Sequence, residues 1–127
     1  MLLDQNFQDY QSADIGIQTA GATSQQLVLI MFNGLMDELV RARGHIEAKR
    51  YEHKANSINK CIDVLNALTG SLDFINGGEL ANSTASLYSH CVYRLYDASI
   101  KMSLEYIDEV EKILATLRSG WEANQES

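Results

Sequence analysis

Residue types that most often carry chemistry are sparse in this chain of 127 residues. The histidines are His45, His53 and His90, and none of them lies three residues after an Asp or Glu. A di-iron centre between helices needs such Glu-x-x-His pairs, so that kind of site is not expected. His90 and Cys91 are neighbours that point in different directions on a helix, which prevents joint binding of one metal ion. We therefore expect no metal site and no cofactor.

Signatures of nucleophilic catalysis and of phosphate binding are also missing. The sequence contains neither Gly-x-Ser-x-Gly nor His-Glu-x-x-His. Cys61 and Cys91 are thirty residues apart, without a Cys-x-x-Cys motif, and both fall on apolar helical faces where cysteine acts as a small hydrophobic side chain. The run Asn76-Gly77-Gly78-Glu79 lacks the Gly-Lys-Ser/Thr of a phosphate loop and indicates a turn. We expect a protein without enzymatic activity.

Charge and hydropathy limit the partners. The chain has 10 basic and 17 acidic residues and a net charge of −7. An acidic chain without a clustered basic footprint is not expected to bind nucleic acid. The longest apolar run, Leu27–Phe32, is far shorter than the roughly twenty residues of a membrane span. The N-terminus has no secretion signal, so we expect a cytoplasmic protein with reduced thiols.

The elements that would position these residues are long helices. Proline is absent and 46% of residues are hydrophobic, which favours uninterrupted helices around one core. Apolar spacing predicts helices over residues 24–49, 53–76, from 79–83 to 102, and 103–122. The expected fold is all-α, an antiparallel four-helix bundle over 24–122. Residues 1–23 would form an N-terminal arm or short cap helix, and 123–127 a frayed C-terminus.

Apolar stripes define the expected core. Thr23 or Ser24 would cap the first helix, and Gly70 would mark a bend, an early end or a close approach in the second. The run 76–78 is expected to stop that helix. Leu65 is a safer core residue than Leu114, which has charged neighbours. The stripes are Val28, Phe32, Leu35, Leu39, Ala42 and Ile46; Ile58, Ile62, Leu65, Leu68, Leu72 and Ile75; Leu80, Thr84, Leu87, Cys91, Leu95, Ala98 and Met102; and Ile107, Val110, Leu114, Leu117 and Trp121.

Aromatic residues give the most informative surface signal. Phe7 and Tyr10 are three residues apart, on one side of a helical turn, so we expect the N-terminal arm to dock. Tyr88, Tyr93 and Tyr96 are expected to flank the stripe of the third helix. Two interpretations are open: the tyrosines close the bundle, or they form the rim of a groove for a partner helix.

Motifs along the chain carry a family resemblance. From about Tyr10 to Glu122 the chain resembles the flagellar secretion chaperone family (FliS). The matching motifs are Ala22-Thr23-Ser24-Gln25-Gln26-Leu27, Met31-Phe32-Asn33-Gly34, Leu72-Asp73, Gly77-Gly78-Glu79, Leu87-Tyr88-Ser89-His90-Cys91, Arg94-Leu95, Glu109-Val110 and Trp121. Departures from the family pattern are Ser24 for Pro, Asn33 for Asp, Thr84 for Leu, His90 for Tyr and Ser99 for Asn.

The resemblance implies an export chaperone. Such proteins bind the disordered C-terminal segment of flagellin in the cytosol, prevent premature polymerisation and support delivery to the flagellar export apparatus. The segment wraps around the bundle, with the N-terminal arm covering part of the groove in the free protein. Export-gate components and other flagellar regulators are further candidate partners. The residues expected to contact a partner are Phe7, Tyr10, Leu27, Phe32, Leu87, Tyr88, Arg94 and Leu95.

An alternative stays open on the sequence alone. Wide apolar faces equally suit a generic helical interaction module that self-associates or binds another helical protein. Binding of a flagellin tail would separate the two interpretations, since only the chaperone requires it.

Overall fold

The computed structural model of the protein describes residues 23–126. Four helices cover nearly all of this range: α1 (Ser24–Glu47), α2 (Tyr51–Gly70), α3 (Phe74–Lys101) and α4 (Leu104–Glu126). The expected all-α class is confirmed. None of the described helices is long and apolar enough to cross a membrane. The expectations for the N-terminal arm, including Phe7 and Tyr10, concern residues outside the described range.

The start of α1 is fixed by a reciprocal cap. The Thr23 hydroxyl accepts a hydrogen bond from the Gln26 amide at 3.1 Å, and the Gln26 side-chain oxygen accepts one from the Thr23 amide at 2.9 Å. Two amides that would otherwise lack partners in the first turn are thereby satisfied. The predicted helix start at residue 24 is confirmed.

The boundary between the second and third helices differs from the prediction. The second helix was expected to reach residue 76, but α2 ends at Gly70 and α3 already begins at Phe74. Asp73 accepts a hydrogen bond from the Asn76 amide at 3.1 Å and starts the new helix. The run 76–78 does interrupt the helix as predicted, but the segment that it interrupts is a short turn that begins at Phe74, because α2 has already ended at Gly70. Gly78 has φ +52° and ψ −126° there, a conformation that side chains with a Cβ rarely adopt.

The connections after α1 and after α3 each contain a non-glycine residue with a positive φ angle. Lys49, after α1, and Met102, after α3, have positive φ angles of 56° and 53°. Both adopt the left-handed conformation that usually falls to glycine at a helix end. Ser103 then accepts a hydrogen bond from the Tyr106 amide at 3.3 Å and caps α4. The predicted boundary near residue 103 is therefore confirmed, whereas α4 continues past the predicted end at 122.

The helices form a square, antiparallel arrangement. Helix α1 packs against α2 and α4, and α3 packs against the same two neighbours. Side-chain hydrogen bonds that join elements distant in sequence include those from Trp121 Nε1 to the Gln25 carbonyl at 3.2 Å, from Arg118 to Asn33 at 3.1 Å, and from Lys54 to the Ser99 carbonyl at 2.8 Å. The starts of α1 and α3 therefore share one end of the bundle with the ends of α2 and α4.

Most predicted stripe residues form the core. Leu65 and Leu114 are both fully buried, so the charged neighbours of Leu114 do not expose it. Two expectations fail on α3. Leu80 and Leu87 were placed in the core and are exposed, whereas Tyr88, expected at the flank, is buried. A Tyr ring fits there because it packs at a tilt against Phe32, with ring centroids 6.4 Å apart.

Candidate partner-binding surface

The apolar stripe of α3 changes character along the helix. Near the start of the helix, Leu80 is 74% exposed and Leu87 is 39% exposed. Farther along the same stripe, Cys91, Leu95 and Ala98 are completely buried. Residues four and three apart lie on one face of a helix, so these side chains form one continuous row. Within the part of the chain that the structure describes, this row is covered only over its C-terminal half.

Other exposed apolar side chains lie at the same end of the bundle. Leu27, in the first turn of α1, and Phe74, in the first turn of α3, are both exposed. We call Leu27, Phe74, Leu80 and Leu87 the open end. Several half-buried side chains near this end pack directly against the core: Val28, Met31, Leu72 and Leu117. The open end is therefore an outward continuation of the core, unlike an isolated leucine on a polar surface.

One side of this end is closed by contacts between α1 and α4. The Trp121 indole donates to the Gln25 carbonyl, and the Arg118 guanidinium donates to the Asn33 side chain. Arg118 also lies 3.7 Å from Glu122 on its own helix. These contacts hold the start of α1 against the end of α4. Leu80 and Leu87 are exposed on α3, and together they form an apolar strip along that helix.

The residues that were predicted to bind a partner fall into separate environments. Leu27 and Leu87 belong to the open end and are accessible. Phe32, Tyr88 and Leu95 lie in the core, where no partner can reach them while the bundle keeps this packing. Their direct role in binding stays a prediction, since it requires the bundle to open. In this structure the three side chains stabilise the core against which α3, the helix that carries Leu87, packs.

Arg94 holds α3 against α4. Its guanidinium Nε is 3.0 Å from one oxygen of Glu109, and His90 Nε2 is 3.1 Å from the other. The same guanidinium lies over the Tyr106 ring, 4.8 Å from its centroid. A half-exposed ion pair contributes at most about 1 kcal/mol, and the ring contact adds to it. In this arrangement Arg94 positions the helix, and its predicted contact with a partner stays a prediction.

Both cysteine thiols, the potential nucleophiles of the chain, are buried. Burial, with a further effect of the Glu38 carboxylate, raises the pKa of the Cys61 thiol far above its ordinary range. Burial, followed by the Glu109 charge, raises the pKa of Cys91 to about 11. A thiol held neutral in this way is a poor nucleophile and a poor metal ligand at neutral pH. Across residues 23–126, no three His, Cys, Asp or Glu side chains are placed to hold a metal ion.

Two features of the surface were not recognised from the sequence. The first is the exposure of Leu80, which fits the helical stripe and was therefore expected in the core. Tyr93, Tyr96 and Ile100 form a second exposed apolar row on the opposite side of α3. Their spacing of three and four residues follows one helix face, so the signal was present in the sequence. Tyr93 and Tyr96 were expected to flank the stripe, but their row lies on the opposite side of α3 from it.

Comparison with known proteins gives matches along nearly the whole chain. The family described as Flagellar protein FliS matches residues 5–127. The flagellar secretion chaperone FliSB of Pseudomonas aeruginosa is 32% identical over 113 residues, covering 89% of this chain and 90% of that relative. The flagellar secretion chaperone FliS of Escherichia coli is 33% identical over 112 residues, covering 86% and 82%. FliS of Bacillus subtilis is 26% identical over 121 residues, covering 95% and 86%.

Proposed function

Because this chain belongs to the flagellar protein FliS family, we propose that it is a cytoplasmic export chaperone for flagellin. The membership confirms the resemblance drawn from the sequence motifs. In this proposal the protein binds the disordered C-terminal segment of flagellin, prevents premature polymerisation and supports delivery to the export apparatus. It works by binding alone, without enzymatic activity. The observation that carries the proposal is the exposed half of the α3 stripe, which continues an apolar core into solvent.

The geometry favours a helical client segment. Leu80 and Leu87 are seven residues apart, which spans two helical turns along one face of α3. An amphipathic helix that lies alongside would place apolar residues at matching intervals of three, four and seven. Thr84, between the two leucines, is half-buried, and its hydroxyl already donates to the Leu80 carbonyl at 2.8 Å. Its polar group is therefore satisfied internally, so a client helix can cover it without stranding a buried donor.

The energetic logic suits a disordered client. A segment that folds on binding must offset the conformational entropy of ordering its backbone, about 1–2 kcal/mol per residue. An apolar strip connected to the core provides a compensating free energy, because burial contributes about 25 cal/mol per Å² of apolar surface removed from water. Covering the apolar face of the segment would also hide the surface that it uses in the filament. The same binding event would then both sequester the flagellin segment and prevent its polymerisation.

The N-terminal arm enters the proposal as a competitor. Phe7 and Tyr10 supply two aromatic side chains at helical spacing, and the chain enters the described structure at Thr23, beside the open end. We propose that this arm covers part of the client surface in the free protein. Client affinity is then lowered by the fraction of time for which the arm occupies the surface.

Binding to two forms of flagellin tests the proposal. The protein should bind full-length flagellin tightly and a flagellin that lacks its C-terminal segment poorly, because only the former carries the proposed client helix. Co-expression followed by co-purification, then titration calorimetry, would measure the difference. A neutral helical protein of similar size serves as the control for non-specific binding to flagellin. Equal affinity for both flagellins would refute tail binding.

A second candidate function rests on the outer face of α3. Tyr93, Tyr96 and Ile100 are exposed in one row, which would also suit a generic helical module that self-associates. Analytical ultracentrifugation of the protein alone distinguishes the candidates. A concentration-dependent dimer that dissociates on Ile100→Asp would favour self-association, whereas a monomer that binds the flagellin tail favours the chaperone.

A further inference from the structure

A compact group of basic and imidazole side chains lies where α1 ends and α2 begins. The His45 and His53 rings stack with centroids 5.3 Å apart and an angle of 27° between their planes. Arg50, in the connection, donates from Nε to His45 Nδ1 at 2.9 Å. Arg41 and Lys60 flank the group from α1 and α2. We call these five residues the basic seam: Arg41, His45, Arg50, His53 and Lys60.

The basic seam contrasts with the charge of the whole protein. Residues 41–60 contain six Lys and Arg against two acidic residues, Glu47 and Glu52. The whole chain has ten basic and seventeen acidic residues, so the remainder holds four basic and fifteen acidic ones. More than half of all permanent cations are therefore concentrated in twenty residues. An otherwise acidic protein repels anionic ligands, so any that binds is directed to this region.

The buried Glu38 carboxylate places one negative charge beside the three permanent cations of the seam. Glu38 is buried between α1 and α2, with Arg41 Nη1 at 2.8 Å from Oε2 and Lys60 Nζ at 4.0 Å from Oε1. A single carboxylate faces two cations, and Arg50 adds a third beside the imidazoles. Arg41, whose side chain is 61% exposed, and Arg50, which is also exposed, turn their positive charge toward solvent.

The protonation of His45 is linked to this charge. Because Arg50 donates to Nδ1, the neutral ring accepts there and carries its proton on Nε2. A second proton has to enter at Nδ1, where it breaks the Arg50 bond. Burial lowers the pKa of His45 most, and the charges of Arg50, His53 and Lys60 lower it further. The Glu38 carboxylate raises it. The ring is therefore neutral at physiological pH. An anion placed against the seam favours the charged ring and reverses this preference.

We propose that the basic seam is a docking surface for an acidic segment of a partner protein, and that docking is coupled to proton uptake at His45. Carboxylates along such a segment would meet Arg41 and Arg50, with the His45 ring gaining charge beside them. The seam lies at the opposite end of α1 from the open end. Both surfaces can therefore be occupied together, and the inference does not rest on flagellin binding.

A labelled oligo-glutamate peptide tests this surface on the full-length protein. At low salt, fluorescence anisotropy should show binding of this peptide but no binding of an oligo-glutamine peptide. Glutamate stays ionised between about pH 8 and pH 6, so a change of affinity across that range reports on the protein. We expect affinity to rise several-fold as the pH falls, and to weaken with added salt.

Matched variants locate the effect. Arg50→Gln should weaken peptide binding about two- to fivefold, whereas Lys112→Gln, on the exposed surface of α4, should not. The combined variant His45→Gln/His53→Gln should lose the pH dependence, whereas His90→Gln should retain it. Circular dichroism verifies that each variant is folded. The proposal is overturned if the peptide does not bind, if Arg50→Gln and Lys112→Gln behave alike, or if the pH dependence survives in the double histidine variant.

Discussion

Replacing Leu80 with alanine separates binding from stability. The side chain is 74% exposed, so its truncation removes little buried area and should change the free energy of unfolding by less than about 0.5 kcal/mol. Complete burial of a leucine side chain is worth about 1.5–3 kcal/mol. Because about three quarters of that burial is still available to a client, Leu80→Ala should cost about 1–2 kcal/mol of binding. Affinity for the flagellin tail should fall about 5- to 30-fold.

Ile100→Ala is the matched control for this prediction. Ile100 lies on the same helix and is 81% exposed, but it stands on the opposite side of α3 from the open end. Its truncation removes a similar apolar area and should leave tail affinity unchanged. Titration calorimetry with a peptide of the flagellin C-terminus measures both variants, and urea unfolding measures their stability. Equal losses of affinity, or a loss only with Ile100→Ala, would refute the assignment of the open end.

Four further changes test other parts of the account. Leu65→Ala should destabilise the bundle by about 2–5 kcal/mol in urea unfolding, because the side chain is fully buried; a loss below about 1 kcal/mol would contradict this packing. Gly78→Ala should cost about 1–3 kcal/mol, because φ is +52° and ψ is −126° there, and an unchanged melting temperature would show that the kink relaxes. Tyr10→Ala and deletion of residues 1–16 should each change client affinity several-fold with the helical circular dichroism unaltered; unchanged affinity in both would identify the arm as a passive tail. Burial raises the pKa of Tyr88 to about 12, so the unfolded state loses this proton at lower pH and stability should fall as the pH rises from about 10 to 12. Tyr88→Phe should lessen that fall, and an identical alkaline profile would show that another group causes it.

Local signals predicted the elements well. The apolar spacing of α1 identified Phe32, Leu35 and Leu39 as core residues, and all three are buried. Thr23 was one of the two predicted caps, with Ser24, because a hydroxyl can accept a free amide of the first turn. Such features depend on neighbours within one or two turns, which the sequence displays directly.

Features that depend on packing between helices were not predictable in the same way. The stripe of α3 gives the side that faces inward, but not how far neighbouring helices extend to cover it. Leu80 therefore looked identical to Leu95, although one is exposed and the other is buried. Likewise, the glycines near residue 77 indicated an interruption, but a helix end and a kink leave the same local signal.

Side-chain networks across connections were the least predictable. The His45 and His53 rings stack across the first connection, where Lys49 adopts a left-handed conformation. A non-glycine residue seldom adopts that conformation, so no sequence rule selects it. The same geometry brings Arg50 back onto His45 and creates the basic seam.

The location of the bound client tests the central claim most directly. Leucine and valine methyl groups can be labelled and followed by NMR while a peptide of the flagellin C-terminus is added. We predict that the methyl signals of Leu80 and Leu87 shift until the peptide saturates, whereas those of Val40, exposed on α1, stay in place. Saturable binding that moves the Val40 signals and leaves both α3 leucines unchanged would contradict the account.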